Sequence, residues 1–239
     1  GYFEYKNKKI FNYEIRIVNL EENKYQNKFF KKKNYKIIND QKSLKLNLLS
    51  SNSFIVAVGG TSGNFRTSLS KKLIKDYKLK PISFCSKDYV KDSSVSFGEG
   101  YQIMKNVTIN SNVKIGNYCI FNTSCTIDHD CKVNDGVHIM PGSTLAGNIT
   151  IENFSSIGSG ATIIPDIHIG ENSLIGAGSV IIRNVKKNQV IVGNPGYFLK
   201  SNLKNKKKFY FKKLIKWKKN FFNLITNTSF IFPVFFLPK

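Results

Sequence analysis

With 239 residues, 41% of them hydrophobic, the chain is long enough to bury a core in one large or two small domains, which excludes a disordered polymer. No apolar run reaches the roughly 18 residues that a membrane span needs, and no charged leader followed by an apolar core opens the sequence, so a cytoplasmic location is expected. The net charge of +22 sits at the two ends: twenty basic residues face eight acidic ones over 1–96, five face seven over 97–186, and twelve face none over 187–239. A nucleic-acid-binding face on the central segment is thereby disfavoured, while the Lys excess at the ends reads equally as a binding surface or as a compositional bias.

Over residues 1–83, apolar strands (Tyr13 to Asn19, Ser53 to Val58) accompany Lys-rich helical stretches such as Ser68 to Tyr77, which predicts an α/β domain. The run Gly59-Gly60-Thr61-Ser62-Gly63 is by itself a weak phosphate-loop signal.

From Phe97 the sequence changes character. Stepping by six gives Phe97, Ile103, Ile109, Ile115, Phe121, Ile127, Val133, Ile139, Leu145, Ile151, Ile157, Ile163, Ile169, Ile175 and Ile181, all apolar. At the overall apolar fraction, fifteen consecutive hits have chance odds on the order of one in a million. A second track, four residues after each anchor, is small or β-branched almost throughout, as in Val107, Val113, Cys119, Cys125 and Ser143. The residue directly after the anchor is Gly, Asn, Asp or Glu at ten of fifteen positions, which predicts a tight turn there. A period of six with a turn in every unit fits neither a helix nor an isolated strand; it fits a chain coiling around a narrow prism. Three units per coil would make five coils and a rod on the order of 24 Å long.

Cys119, Cys125 and Cys131 share the inward phase of the repeat, and with Cys85 they lack the spacing of a zinc site, so buried structural thiols are expected. The three histidines, 9 and 30 residues apart, likewise do not predict a metal. His129, flanked by Asp128 and Asp130, has the residue types of a general base working near neutrality; in a strand the two carboxylates would alternate faces with it. His168 has no such context.

Residues 197–239 carry eleven Lys and no acid, interleaved with aromatics. Tyr210, Leu214, Trp217, Phe221 and Leu224 follow a 4-3-4-3 spacing, so a helix over 209–225 would present one aromatic face with Lys opposite. Such a helix would either lie on an anionic membrane, at the inner face of the cell envelope, or cover the protein's own surface.

The anchors with their following Gly or Asp, as in Ile115-Gly116-Asn117-Tyr118-Cys119, resemble the hexapeptide repeat of left-handed β-helix acyltransferases. The run from Asn122 through His129-Asp130 and His138-Ile139-Met140-Pro141-Gly142 to Leu145-Ala146-Gly147-Asn148 is similar to one branch of that superfamily. That branch holds the sialic acid O-acetyltransferase-like proteins and the UDP-4-amino-sugar N-acetyltransferases. Val192-Gly193-Asn194-Pro195-Gly196 resembles the end of the family's helix, with Gly where Ala is usual. The resemblance implies a Rossmann-like nucleotide-sugar-binding domain over 1–83, a left-handed β-helix over 84–196 and a C-terminal extension over 197–239. In that alignment Gly1 matches the last glycine of the family's first turn, so the domain is expected to lack its first strand, either because the sequence is a fragment or because the nucleotide pocket is not intact. It further implies a homotrimer with sites between subunits and acetyl-CoA as donor, transferring acetyl to an amine or hydroxyl of a sugar or nucleotide sugar in surface-glycan synthesis. Carried over residue by residue, His129 would be the base and Asp130 its acidic partner. His138, Ser159 and Ala177 would contact acetyl-CoA, and Asn122, Glu21, Glu22 and Gly59 would hold the acceptor. The same helix also serves acetyl transfer to non-sugar acceptors, and it would serve a non-catalytic trimeric scaffold.

Overall fold

A computed structural model describes the backbone at residues 16–18, 36–38, 46–202 and 234–238, and the side chains of 46–202. Glu21, Glu22 and the expected amphipathic segment 209–225 lie outside the described residues.

The N-terminal sheet contains β1 (Arg16–Val18), β2 (Lys36–Ile38), β3 (Ser51–Val56) and β4 (Lys80–Pro81), with helix α1 (Gly63–Tyr77) crossing from β3 to β4. Pairs β1–β2 and β3–β4 are parallel. Between the two pairs, antiparallel to both, lies a strand from the far end of the chain, Val234–Pro238. The C-terminal extension was expected to be helical over 209–225, outside the described residues; of its described parts, Tyr197–Ser201 is an edge strand on the first side of the β-helix and Val234–Pro238 is the middle strand of the N-terminal sheet. Helix α1 starts five residues before the expected Ser68, directly after Ser62. Its inner face supplies Leu73 to a small core with Leu48, Phe54, Val56, Val58 and Leu79.

The repeat forms a parallel β-helix. Two residues of each six are strand, and the strands stack on three sides of a prism. The first side holds Gln102–Ile103, Ile120–Phe121, His138–Ile139 and Ser156–Ile157, the second Thr108–Ile109, Thr126–Ile127 and Thr144–Leu145, and the third Lys114–Ile115, Lys132–Val133 and Thr150–Ile151. Partners on each side are 18 residues apart, so three hexapeptides make one coil, as the spacing predicts. The same register reaches back to Phe84–Cys85 and Val90–Lys91, which the aliphatic pattern misses because the second of these anchors is Lys91. At the top the offset falls to 16 residues, with Ile169 opposite Val185 and Ile175 opposite Ile191, and the chain leaves the prism.

Inside, the anchors form three aliphatic columns; Ile127, Ile139, Leu145 and Ile157 are fully buried, each stabilising the fold by about 1.5–3 kcal/mol. The second track fills the corners. There a thiol or hydroxyl hydrogen-bonds a carbonyl 15 residues on: Cys119 to Asn134, Cys131 to Ala146, Ser143 to Gly158, Ser155 to Gly170. The three repeat cysteines are thus buried corner residues, and burial pushes the Cys119 thiol up to about 12.

The turns differ from expectation in one respect. A residue with positive φ recurs every six positions from Gly100 to Gly178, three residues after each anchor rather than one. The glycines directly after the anchors serve another need: a Cβ on Gly158 would lie 2.5 Å from the Ala177 nitrogen of the next coil. At the positive-φ positions Asn, Asp and Gly predominate, since other residues cost roughly 1–2 kcal/mol there. Tyr118 and Phe154 nevertheless adopt it, both on the corner between the third and first sides, where the N-terminal domain docks. Each ring lies over a glycine one coil below: a Cβ on Gly100 would be 2.6 Å from the Tyr118 ring and one on Gly136 would be 2.8 Å from that of Phe154.

Docking is fixed by Arg66 of α1, which is buried at 1% exposure. Its guanidinium donates to the carbonyls of Tyr118, Val58 and Gly136 at 2.7, 2.5 and 2.9 Å, tying helix, loop and two coils together. Burial lowers its pKa to about 10, so it stays cationic at neutral pH. On the first side, Gln102 donates to the Val56 carbonyl at 3.0 Å.

Candidate functional site

His129 stands at the corner between the second and third sides and is exposed. It is in a turn, not a strand, and the positive φ of Asp130 (59°) reverses the chain so that this carboxylate curls back onto its neighbour. The alternation of faces that a strand would impose therefore does not apply. A carboxylate only accepts, so His129 Nδ1 carries the proton and donates to Asp130 Oδ2 at 2.8 Å. This hydrogen bond is the main reason the His129 pKa lies above its ordinary value, and it holds Asp130 below the usual carboxylate range. Asp128 acts differently: its Oδ1 accepts the His129 backbone N–H at 2.8 Å and the Asn110 amide at 2.7 Å. With Nδ1 occupied, the other ring nitrogen is the one with a free lone pair. Above it sits Gly147, where any side chain would touch the ring: a Cβ there would be 2.6 Å from both Cε1 and Nε2.

His138 is on the first side, opposite the His129 corner, and only 5% exposed. The β3–α1 loop covers it. His138 Nδ1 donates to the Gly60 carbonyl at 3.0 Å, and a Cβ on Gly59 would be 3.5 Å from its ring. Burial, aided by the positive Arg66, pulls its pKa down to about 4, so the ring is neutral and Nε2 is a bare acceptor. That nitrogen is buried with no hydrogen-bond partner among the described residues, and such groups carry a desolvation penalty of about 1–3 kcal/mol unless something fills the gap.

Asn122, Ser159 and Ala177 line the corner between the first and second sides, Ser159 and Ala177 exactly one coil apart in register and both exposed. Asn122 Oδ1 accepts the backbone N–H of Thr123 at 2.8 Å. Nothing lies within 4 Å of where a Cβ would stand on Gly142, Gly160 or Gly178, so this edge is an unobstructed strip of backbone parallel to the helix axis. Among the described residues no three His, Cys, Asp or Glu side chains converge as a metal would require, and no helix is long and apolar enough to cross a membrane.

The sites expected from sequence thus fall into three places on one chain: the His129–Asp130 pair on one corner, Asn122 with Ser159 and Ala177 on another, and Gly59 with His138 on the side facing the N-terminal domain.

The bacterial transferase hexapeptide family (six repeats) matches residues 130–164 and 148–183. A His-to-Ala variant of GDP-perosamine N-acetyltransferase from Caulobacter crescentus, solved with CoA and GDP-perosamine, is 30% identical over 59% of this chain and 67% of that one, with a TM-score of 0.57. The chain belongs to the hexapeptide-repeat acyltransferases. PerB from the same organism, also with CoA and GDP-perosamine, gives 28% identity and a TM-score of 0.64 over 70% of this chain and 79% of that one. The acetyltransferase domain of PglB from Neisseria gonorrhoeae FA1090, in complex with acetyl coenzyme A, gives 27% identity and a TM-score of 0.62 over 70% and 80%. Curated protein sequences give no match.

In this acyltransferase, three residues that shape the site escape a reading of the sequence alone. Arg66 reads as one more surface cation of a basic helix, whereas it is the buried link between domains. Asn110 reads as a turn former and Gly147 as part of the repeat; the fold places Asn110 one coil below Asp128 and Gly147 one coil above His129. An 18-residue frame aligns 110 with 128 and 129 with 147, the two pairings that the fold uses.

Proposed function

We propose that this protein transfers the acetyl group of acetyl-CoA to the amine or hydroxyl of a sugar, with a nucleotide-linked amino sugar as the favoured acceptor, in glycan synthesis. The observation that carries the reading is the His129–Asp130 pair: a base oriented by a carboxylate, its reactive nitrogen kept clear by Gly147. Nε2 takes the proton from the acceptor nitrogen or oxygen as that atom attacks the thioester carbonyl carbon. The new N–C or O–C bond forms, the C–S bond breaks, and the CoA thiolate leaves and takes up the acceptor's proton from the imidazolium. Asp130 supports the positive charge on His129 while it exists. The thioester is already activated, so no covalent enzyme intermediate is needed. The relatives solved with CoA and GDP-perosamine are N-acetyltransferases, which favours the amine.

The corner that carries Asn122, proposed for the acceptor, and Ser159 and Ala177, proposed for acetyl-CoA, is separated from His129 by a full side of the prism, and His138 faces the opposite way. One chain therefore cannot put base, donor edge and acceptor loop around one reacting carbon. A homotrimer, with His129 of one subunit facing the Asn122–Ala177 edge and the Gly59–His138 region of a neighbour, meets the requirement. His138 would then contribute a lone pair, not a charge, to the acetyl-CoA or acceptor. Glu21 and Glu22 are proposed to hold the nucleotide sugar, and the basic segment 209–225 to touch an anionic membrane, which the absence of liposome co-sedimentation would disprove.

The deciding experiment is acetyl-CoA turnover with a panel of amino sugars, free and nucleotide-linked, comparing wild type with His129→Ala. Undiminished turnover in the variant would remove His129 from the mechanism.

A further inference from the structure

The carboxylate that orients His129 is itself exposed, and exposed ion pairs alone hold geometry poorly. Asp130 can rotate about its side-chain bonds and be satisfied by water. Its second oxygen is engaged, however: Asn112, one coil below at the same corner, donates its amide to Asp130 Oδ1 at 3.2 Å, while Oδ2 accepts from His129 Nδ1 at 2.8 Å. Asn112 is held in turn, with its backbone N–H donating to Ser94 Oγ at 2.8 Å and Ser94 Oγ donating to Asp92. Asp128, on the other flank, is fixed by Asn110 of the same lower coil. A polar stack spanning three coils thus ends on the imidazole.

We propose that Asn112 is a positioning residue for acetyl transfer, anchoring one oxygen of Asp130 so that the other stays on His129 Nδ1 and Nε2 stays free as the base. This inference rests on the acetyl-transfer reading above. The two carboxylate oxygens are rigidly linked, so a hydrogen bond at Oδ1 restricts rotation that would carry Oδ2 off the ring. The same motif occurs a second time and provides a control. Asn134 donates to Glu152 Oε2 at 2.8 Å, and Glu152 Oε1 faces His168 Nε2 at 3.3 Å; Asn134 and Glu152 stand at the end of the third side remote from the His129 corner.

The test compares Asn112→Gly, Asn112→Gln and Asn134→Ala in the full chain. Glycine suits the positive φ of 58° at position 112, so the substitution removes the amide without straining the turn. Two quantities are read on folded protein: the imidazole titration of His129 by NMR, and kcat for acetyl-CoA with the acceptor that turns over fastest in the amino-sugar panel. Only three histidines are present, and the His129 signal is identified by its loss in His129→Ala. In Asn112→Gly the His129 midpoint should fall toward the ordinary value and kcat should drop roughly tenfold, by analogy with other partners that orient a histidine through a carboxylate. Asn112→Gln, which keeps an amide donor, should recover part of both, and Asn134→Ala should change neither. An unchanged midpoint or an unchanged kcat in Asn112→Gly overturns the proposal. If His129→Ala is inactive while Asn112→Gly is normal, only the positioning role fails; if His129→Ala retains full turnover, the acetyl-transfer reading itself fails.

Discussion

Gly147→Ala isolates the geometry of the base from the stability of the fold. A Cβ at this position would stand 2.6 Å from Cε1 and Nε2 of His129, against the 3.4 Å at which ordinary contact begins, so the ring must withdraw by at least about 0.8 Å. It can do so, because His129 is exposed and Gly147 has an ordinary φ that alanine also adopts. The fold should therefore lose less than about 1 kcal/mol, within the range of surface substitutions of roughly 0.5 kcal/mol plus a rotamer adjustment. The withdrawal is along the direction of the reactive nitrogen and pulls Nδ1 off its 2.8 Å bond to Asp130. A displacement near 1 Å of a catalytic group costs about a hundredfold in rate. Turnover is followed by release of the free CoA thiol, and folding by thermal denaturation under circular dichroism. A variant that melts within a few degrees of wild type and keeps more than a third of its kcat would show that Nε2 is not where the acceptor loses its proton.

Three further outcomes are expected. Because Asp130 holds the His129 pKa above its ordinary value and only the neutral ring accepts a proton, the acidic limb of kcat/KM should lie above pH 6.5; Asp130→Asn should move it to lower pH and reduce the plateau. His138, buried and neutral with a pKa near 4, binds no proton between pH 6.5 and 4 while the unfolded chain does; denaturant unfolding should show a loss approaching 3 kcal/mol over that window, absent in His138→Gln. Arg66→Met removes a buried cation whose loss leaves the Tyr118, Val58 and Gly136 carbonyls unpaired; urea unfolding should show a deficit of about 3 kcal/mol or more, and limited proteolysis should cut between α1 and the β-helix first.

The β-helix was legible because its information is local and repeated: an inward Ile or Val every six residues specifies both the strand and its phase. The His129–Asp130 pair was legible for the same reason, being contiguous. Less visible was the turn that joins them, since Tyr118 and Phe154 at equivalent positions disguise a left-handed track otherwise made of Asn, Asp, Ser and Gly. The burial of His138 is a long-range event; its cover, Gly60, comes from 78 residues earlier and leaves no trace in the local pattern. Arg66 shows the same limit, for its four acceptors are main-chain carbonyls, which no side-chain pattern records.

The 18-residue coil makes the molecule a device that counts. Residues on one corner stay aligned only while the tally between them is a multiple of eighteen, as it is for Asn112, Asp130, Asn148 and Asp166. Six residues of the same pattern inserted between Asp130 and His138 would keep every anchor apolar and inside, yet turn all later coils by one third of a revolution, carrying His138 out from under its loop cover, which stays with the earlier coils. Eighteen inserted residues would instead lift those coils by about 4.8 Å with no rotation. Length variation in this chain is thus quantised, with whole coils compatible with an intact site and single hexapeptides compatible only with an intact core.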